Sequence, residues 1–316
     1  MNQYPLVSII IPVYNGENYM RDAIDSALNQ TYQSIEILVV NDGSSDAGKT
    51  RETALSYGNR IRYFEKENGG VSSALNVGIR NMRGAYFSWL SHDDVYTPDK
   101  VEKEMDALMR HPEERCVALC RARSVDHDLN PIISAHGKRK TGAFPWKQAV
   151  MYITKYGADG CGMMIPRSAF EDAGLFDENL RYCQDILMWW QIFLAHYTLI
   201  VIPDECVLSR VHAQQTTQTQ SHLYHHDAEY IGNIIPEKLL DVSTKDNNCI
   251  YEYARGEALH GNHTVYKRCI ALAKSTGLLG LRHRAVLRAL GAYGVVRPWI
   301  RAVYKALFCK IRSNHK

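Results

Sequence analysis

Two adjacent carboxylates, Asp93 and Asp94, close an apolar stretch that reads SWLSHDD. Like charges side by side repel each other, so the pair requires water, a proton or a cation nearby. Mg²⁺ is a suitable cation, because it takes hard oxygen ligands and commonly binds one or two carboxylates together with substrate phosphates. The alternative is a solvated loop with an acidic helix cap, since Thr97 and Pro98 follow as in a helix start. A cap needs one acceptor, which Thr97 would supply, so the pair favours a metal site.

Three other polar side chains stand beside apolar segments and could serve the same reaction. Asp42 ends ILVVND and would contact a nucleotide or accept a hydrogen bond within a turn. Asp185 precedes ILMWWQIF, where partial desolvation would raise its pKa and suit a general base; a helix N-cap is the alternative. Asp177 and Glu178 are rival bases, although LFDENL has the composition of a turn. His212 is isolated among polar residues, so a structural role competes with a role in the site.

The segments that carry these residues alternate between strand and helix patterns over the first 125 residues. Strand-like segments are LVSIIIPVY, IEILVVND, IRYFEK, AYFSWLS and RCVALCRARSV. Helix-like segments between them are NYMRDAIDSALNQ, GKTRETALSYG, VSSALNVGIRNM and TPDKVEKEMDALMRH. Such alternation predicts βαβ units, and the near-continuous apolar strands indicate a parallel sheet that is covered on both faces.

Polar loops follow the first, second and fourth predicted strands, with the sequences YNGEN, NDGSSD and SHDD. Sheets of this kind bind ligands beyond the carboxyl ends of their strands, so we expect the three loops to face one ligand. No Gly-x-Gly-x-x-Gly segment follows the first strand, and no glycine loop ending in Lys-Ser or Lys-Thr occurs. These absences argue against the dinucleotide-binding fold and the P-loop.

The alternation fails from about residue 130 to 215, and the chain becomes helical after His226. In the apolar helix pattern DILMWWQIFLAHY we interpret Trp189, Trp190 and Phe193 as core rather than as a sugar-stacking platform. We predict a domain over residues 1–220 and a helical region over residues 221–316 that ends in a basic amphipathic tail.

Composition places the chain among globular proteins: it has 316 residues, of which 46% are apolar and 22% charged. No uncharged apolar run is long enough for a membrane-spanning helix, and we interpret the N-terminal apolar run as a strand rather than a signal peptide. The eight cysteines are scattered and fit reduced core thiols. The pair Cys116 and Cys120 lacks the second ligand pair of a structural zinc site.

Charge is distributed unevenly along the chain. Residues 258–316 carry twelve Lys and Arg and no Asp or Glu, whereas the rest carries 25 basic against 34 acidic residues. Basic residues interleaved with apolar ones are typical of helices that lie on anionic membranes. A nucleic-acid-binding tail and a plain packed helix pair are the alternatives, and the apolar content argues against the first.

Five separated segments together resemble the family 2 glycosyltransferases with the GT-A fold, of the bacterial surface-polysaccharide type. They are SIIIPVYNGENYMRDAIDSALNQTY, EILVVNDGSSD, ENGGVSSALNVGIRNMRGAYFSWLSHDD, MMIPRSAFEDAGLFDENLRYCQD and SRVHAQQTTQ, over roughly residues 6–218. The resemblance implies a mostly parallel, nucleotide-sugar-binding α/β sheet flanked by helices. It also implies a nucleotide-sugar donor, a divalent cofactor (Mn²⁺ or Mg²⁺) and a single-displacement, inverting transfer.

The resemblance assigns site residues by motif. Asp42 corresponds to the carboxylate that binds uracil, Asp93 to one near the ribose, and Asp94 to the metal ligand beside the pyrophosphate. Asp185 corresponds to the base, and His212 to a histidine near the metal or the phosphates. The resemblance thus implies these nucleotide-sugar contacts: Pro12, Tyr14, Asp42, Asn76 and Asp93.

Two positions depart from the family pattern. Ser91 stands where many members have Asp, which leaves Asp93 and Asp94 as the only carboxylates of that element. Leu75 stands where many members have Arg, which removes one expected phosphate contact.

We therefore expect a metal-dependent inverting glycosyltransferase that moves a hexose from a UDP-sugar to a hydroxyl of a saccharide acceptor. The acceptor would be carried on a polyprenyl diphosphate lipid, in polysaccharide, O-antigen or capsule assembly at the cytoplasmic face of the inner membrane. The tail would contact anionic lipid, and no nucleic acid partner is expected. The alternatives are a nucleotidyltransferase with a similar core, whose basic glycine loop is missing from VYNGENY, and a non-catalytic nucleotide-sugar-binding module.

Overall fold

The computed structural model describes residues 4–112, 115–132, 139–215, 223–242, 249–260 and 262–275, together with a few single positions. The chain divides into two compact units, Met1–Tyr224 and His225–Lys316. The domain ranges drawn from the sequence stay a prediction, and the tail predicted to be basic and amphipathic falls almost entirely outside the described residues.

The first unit is built on one mixed sheet, which has nine strands in the described part of the chain. The strands are β1 (Val7–Val13), β2 (Ile35–Asp42), β3 (Arg62–Lys66), β4 (Tyr86–Trp89), β5 (Val95–Tyr96), β6 (Cys116–Val125), β7 (Gly142–Phe144), β8 (Met163–Pro166) and β9 (Thr198–Arg210). Their spatial order is β3-β2-β1-β4-β8-β6-β9-β5, and β7 pairs with β9. The neighbours from β3 to β4 are parallel, as are β6 and β9, whereas β8 is antiparallel to both β4 and β6.

Hydrophobic burial drives the central strands together. Every residue of β1 is buried, and Ile9, Ile10 and Ile11 have no exposed surface. Full burial of each such side chain contributes about 1.5–3 kcal/mol to folding. A strand that is buried along its whole length must have cover on both faces, as its sequence predicts.

Helices connect and flank these strands. They are α1 (Met20–Leu28), α2 (Lys49–Leu55), α3 (Val71–Asn81), α4 (Lys100–Met109), α5 (Trp146–Tyr156), α6 (Ser168–Ala173) and α7 (Gln184–Leu194). In α1 the buried residues Met20, Ala23, Ile24 and Ala27 recur at the spacing of a single helix face. The apolar stripe of a helix thus meets the sheet while its charged residues face water.

The start of α4 corrects a prediction from the sequence. The helix begins at Lys100 with Asp99 as its N-cap residue, and no side chain caps it. Thr97 instead donates its hydroxyl to Asp99 at 2.8 Å. The cap offered as the alternative explanation of the acidic loop is therefore not formed by Thr97.

The predicted core residues are buried. Trp189, Trp190 and Phe193 are each at most 4% exposed, which confirms that they are core. Among the described residues the cysteines are free thiols and buried, as expected for a reduced protein.

The second unit contains helices at Ile235–Val242, Cys249–His260 and His263–Ser275, and the preceding helix Tyr224–Gly232 enters it. Arg268 joins two of these segments, since its guanidinium donates to Asn233 at 2.8 Å and to Glu237 at 2.9 Å. Over the described residues, no helix has both the length and the apolar character needed to cross a bilayer.

Candidate functional site

The three polar loops lie along one edge of the sheet. Val13 is paired with Asn41 across β1 and β2, and Ile10 with Trp89 across β1 and β4, so these strands end side by side. The β1 and β2 loops also bond to each other, because the amide of Asn15 donates to Ser44 Oγ at 2.8 Å. The structure thus confirms that the three loops face the same region.

Pro12 and Tyr14 differ in accessibility although both belong to the β1 end. Pro12 lies inside the strand, opposite Val40, and is buried. Tyr14 is 45% exposed, and its hydroxyl lies 3.4 Å from Ser45 Oγ. Of the two, Tyr14 is the side chain that can offer a ring to a ligand.

Asp42 is the acceptor for a neighbouring loop. It is 4% exposed, and its carboxylate accepts hydrogen bonds from Lys66 Nζ at 2.7 Å, Gly69 N at 3.0 Å and Gly70 N at 2.7 Å. The turn in NDGSSD is held instead by Asn41, which accepts from the amide of the third residue after it at 3.0 Å. The turn role that the sequence offered for Asp42 is therefore wrong, and Lys66 is a site neighbour that the sequence analysis missed.

Asp93 and His212 come together from distant parts of the chain. Asp93 Oδ2 lies 3.0 Å from His212 Nε2, and both side chains are 15% exposed. The Tyr19 ring packs on the imidazole with centroids 5.0 Å apart. The end of β9 thereby delivers a histidine to the acidic loop, although the two residues are 119 positions apart.

Asp94 is a second buried carboxylate of the site. It is 6% exposed, and it accepts from the Arg210 amide at 3.0 Å and from Cys161 Sγ at 3.5 Å. Burial raises the pKa of Asp94 well above its usual value, and the nearby charges of Asp93 and Asp159 raise it further. Such a group is stabilised in its charged form when a cation approaches.

Asp159 is a carboxylate that the sequence analysis did not single out. Its side chain caps the short turn Gly160–Gly162 by accepting from the Cys161 amide at 2.9 Å. Burial raises the pKa of Asp159, whose charge in turn raises the pKa of both Asp94 and Asp185. An Asp immediately before a glycine-rich turn is a capping signal that could have drawn attention to it.

Asp185 occupies the first turn of α7 rather than its N-cap, a position taken by Cys183. The carboxylate accepts from the Ile186 amide at 2.8 Å and stays partly exposed. Burial raises the pKa of Asp185 to about 7, with the charge of Asp159 adding to the effect. The rival carboxylates are engaged by the protein itself, because Asp177 accepts from the Asn179 amide and Glu178 from Asn76.

Asn76 does not have the setting expected of a residue that contacts the nucleotide-sugar donor. It is 1% exposed, and its amide donates to the Phe176 carbonyl at 2.9 Å and to Glu178 at 2.8 Å, while its oxygen accepts from the Phe176 amide at 3.0 Å. Because the protein itself occupies both ends of this amide, Asn76 is a link between α3 and residues 176–178.

At the two positions that depart from the family pattern, Ser91 and Leu75, the side chains pack against the protein. Ser91 contacts Cys161, whose Sγ lies 3.3 Å from both the amide and the hydroxyl of Ser91. Leu75 is completely buried in α3. Neither position offers a charge to a ligand.

The carboxylate oxygens of this site fit a divalent cation when substrate oxygens complete its coordination. Within the residues described, no group of three or more His, Cys, Asp or Glu side chains is arranged to hold a metal ion. The crowding of Asp93, Asp94 and Asp159 still favours a cation, since their charges oppose one another. One or two carboxylates with substrate phosphates suffice for Mg²⁺.

Comparison with known proteins gives consistent matches. The model of the family described as glycosyl transferase family 2 matches residues 8–174. An uncharacterized glycosyltransferase of Rickettsia typhi is 37% identical over 326 residues, which cover 99% of this chain and 98% of the relative. The chain spans about half the length of two other Rickettsia relatives. The hyaluronan synthase of Pasteurella multocida is 42% identical over 120 residues, which cover 37% of this chain and 12% of that protein.

Among solved structures, S. aureus TarS residues 1–349 in complex with UDP-GlcNAc superposes with a TM-score of 0.67. The two sequences are 17% identical, and the match covers 94% of this chain and 92% of that chain. At this identity the likeness shows the fold, and it confirms the predicted GT-A architecture.

Proposed function

The chain belongs to glycosyl transferase family 2 and is a glycosyltransferase, and we propose that it moves a hexose from a UDP-sugar to an acceptor hydroxyl with inversion. One observation carries the proposal. Asp93 and Asp94 follow the carboxyl end of β4, while Asp185, with a pKa of about 7, lies in the first turn of α7. An inverting transfer needs this division, because the acceptor oxygen attacks from the face opposite the leaving group and the base must take its proton on that face.

We assign the nucleotide to the ends of β1 and β2, where Tyr14 and Asp42 lie, and name this region the nucleotide pocket. Tyr14 offers an exposed ring. Asp42 already accepts from Lys66, Gly69 and Gly70, and the second lone pair of its Oδ2 is left to accept a further hydrogen bond. TarS, which shares the fold, binds UDP and UDP-GlcNAc in its solved complexes, and this supports a uridine nucleotide donor.

We assign the metal position to Asp94, with Asp93 and His212 beside it. A bound Mn²⁺ or Mg²⁺ supplies charge neutralisation for the diphosphate as the glycosidic bond breaks. Asp94 itself is held in place by the Arg210 amide, and the Asp93–His212 contact orders the adjoining side chain. These contacts fix the orientation of the two carboxylates before substrate arrives.

Asp185 is the proposed general base. A carboxylate with a pKa of about 7 is basic enough to accept the proton of an acceptor hydroxyl, and about half of it is ionised at pH 7. Base assistance of this kind contributes about 10²–10⁴-fold to the rate.

The acceptor is proposed to be a saccharide on a polyprenyl diphosphate lipid, reached at the cytoplasmic face of the inner membrane. The match to a hyaluronan synthase supports a saccharide acceptor, and the basic, apolar composition of residues 281–316 supports contact with anionic lipid. Membership of a glycosyltransferase family argues against the two alternatives, a nucleotidyltransferase and a non-catalytic binding module.

The test is release of UDP from a panel of UDP-sugars in the presence of saccharide acceptors, with and without EDTA. We expect release with one donor, loss of release in EDTA, and recovery when Mn²⁺ or Mg²⁺ is added. Release that is insensitive to EDTA would refute the metal assignment, and no release from any donor would refute the assignment of a UDP-sugar. Asp94→Asn, compared with Asp106→Asn on the exposed face of α4, ties the effect to the site.

A further inference from the structure

Residues 176–181 run alongside helix α3 and are tied to it at both ends. The ties at one end come from Asn76, which makes two hydrogen bonds to the Phe176 backbone and one to Glu178. At the other end Arg181 donates to the Gly69 carbonyl at 2.6 Å. The segment therefore runs from the middle of α3 to the turn that precedes the helix.

The Asn76 end of this segment is buried. Asn76 is 1% exposed and Phe176 2% exposed, so an apolar replacement of the amide would leave a buried N–H and a buried carbonyl unpaired. Leaving a buried polar group unsatisfied costs about 1–3 kcal/mol, which explains why an amide, with both a donor and an acceptor, occupies the position.

The Arg181 end adjoins the proposed nucleotide pocket. The amides of Gly69 and Gly70 hold the two oxygens of Asp42, and the Gly69 carbonyl receives Arg181. Gly70 has a φ of +89°, and a Cβ built on it would lie 2.3 Å from an Arg181 guanidinium nitrogen. The guanidinium thus lies directly against the turn that binds Asp42.

The Phe176 ring lies between the two proposed catalytic elements. It meets the ring of Trp89, on β4, with centroids 6.1 Å apart at 81°, and the ring of Trp189, on α7, with centroids 6.1 Å apart at 80°. Trp89 precedes Asp94 by five residues, and Trp189 follows Asp185 by four. One side chain thus packs against both the strand that leads to the acids and the helix that carries the base.

We propose that residues 176–181 form a strut that fixes Asp185 relative to the nucleotide pocket and to the acids after β4. Asn76 is its anchoring, positioning residue and Arg181 its second tie. The inference rests on the proposed function in one respect, which is that Asp185 acts as the base. It assigns Asn76 and the FDENLR segment to a single device, although they are about 100 residues apart in the chain.

The test replaces the amide by a carboxylate in two matched places. Asn76→Asp removes the donor to the Phe176 carbonyl and to Glu178. Gln30→Glu makes the same chemical change in a buried amide, 5% exposed, that donates to the backbone carbonyls of Ser26 and Thr97 and joins α1 to the region before α4. Both variants lose buried hydrogen bonds, so both are expected to lower Tm, but only the first loosens the strut.

We expect Asn76→Asp to lower kcat by about 10- to 100-fold, because a displacement of about 1 Å at a catalytic group has that effect. The donor KM is expected to stay within about threefold, since donor binding does not change. Adding Glu178→Gln supplies an amide donor to the new carboxylate and is expected to recover part of kcat. A raised donor KM with unchanged kcat would instead make Asn76 a donor contact, and a kcat equal to that of Gln30→Glu would make its role purely structural; either result overturns the strut.

A second measurement separates failure of the strut from failure of the proposed function. Amide exchange of residues 182–190, followed by mass spectrometry, needs no activity. We expect faster exchange there in Asn76→Asp and unchanged exchange in Gln30→Glu. If wild type releases no UDP, the transfer assignment fails and exchange alone decides, because equal rates in the two variants overturn the strut.

Discussion

Replacement of Asp185 by Asn removes the proposed base while preserving the shape of the side chain and its contact with the Ile186 amide. General-base assistance contributes about 10²–10⁴-fold, so we expect kcat to fall within that range. The donor KM is expected to change little, because Asp185 contacts the acceptor hydroxyl in the proposed arrangement. The assay is UDP release at saturating donor, with Asp106→Asn as the matched control at an exposed site.

The pH profile gives the same prediction a sharper form. Because burial raises the pKa of Asp185 to about 7, wild-type kcat is expected to fall as pH drops through 7. At pH 6, one unit below the pKa, about a tenth of the base remains ionised, so kcat is expected to be about tenfold lower than its plateau. The residual activity of Asp185→Asn is expected to lack this limb.

The pH dependence of stability is a second, independent test of the raised pKa of Asp185. The folded-state pKa of Asp185, about 7, lies above its usual value of 3.8, so the folded chain holds the proton more tightly than the unfolded chain. The contribution of Asp185 to the free energy of unfolding is therefore fully present below pH 3.8 and is lost as the pH rises through 7. The neutral Asn variant is therefore expected to have a higher Tm than wild type at pH 8 and to lose that advantage in acid. A kcat that falls less than tenfold in a folded Asp185→Asn variant, or a variant that keeps the acidic limb, would refute the reasoning.

Three further changes concern the Asp42 ion pair, the buried Lys100–Glu104 pair and the basic tail. Lys66→Met removes the cation that pairs with Asp42 at 2.7 Å and is expected to raise the donor KM more than it lowers kcat, as measured by initial rates of UDP release. Lys100→Met leaves Glu104 as an unpaired buried charge, since both side chains have no exposed surface, and is expected to lower the free energy of unfolding by about 3–5 kcal/mol in urea titrations. Truncation near Leu278 is expected to abolish sedimentation with vesicles of anionic lipid while UDP release with a soluble acceptor persists.

The outcomes that would contradict these three are distinct. An unchanged donor KM in Lys66→Met would separate this lysine from the nucleotide pocket. If the double change Lys100→Met with Glu104→Leu were as unstable as the single change, desolvation of an unpaired charge would not be the cause. Equal sedimentation of the truncated and full-length chains would show that the basic tail does not bind anionic lipid.

The sequence alone determined the alternating strands and helices of the first 125 residues and the family to which the chain belongs. Runs such as Ile9–Ile11 predict buried strands because side-chain burial follows local periodicity, which can be read without knowing the neighbours. The sequence also predicted that the loops after β1, β2 and β4 share an edge, since parallel strands must end on the same side.

Tertiary structure decided the roles of individual polar residues, because their partners lie far away in the chain. Asn76 lies in a motif that resembles one contacting the nucleotide-sugar donor. Its hydrogen bonds nevertheless go to residues about 100 positions later, and sequence periodicity cannot predict such a pairing. The same holds for Asp159, whose charge acts on Asp94 and Asp185 only after β8 and α7 have packed. Local sequence fixes which elements form, whereas the electrostatic surroundings of a carboxylate depend on the groups that folding brings near it.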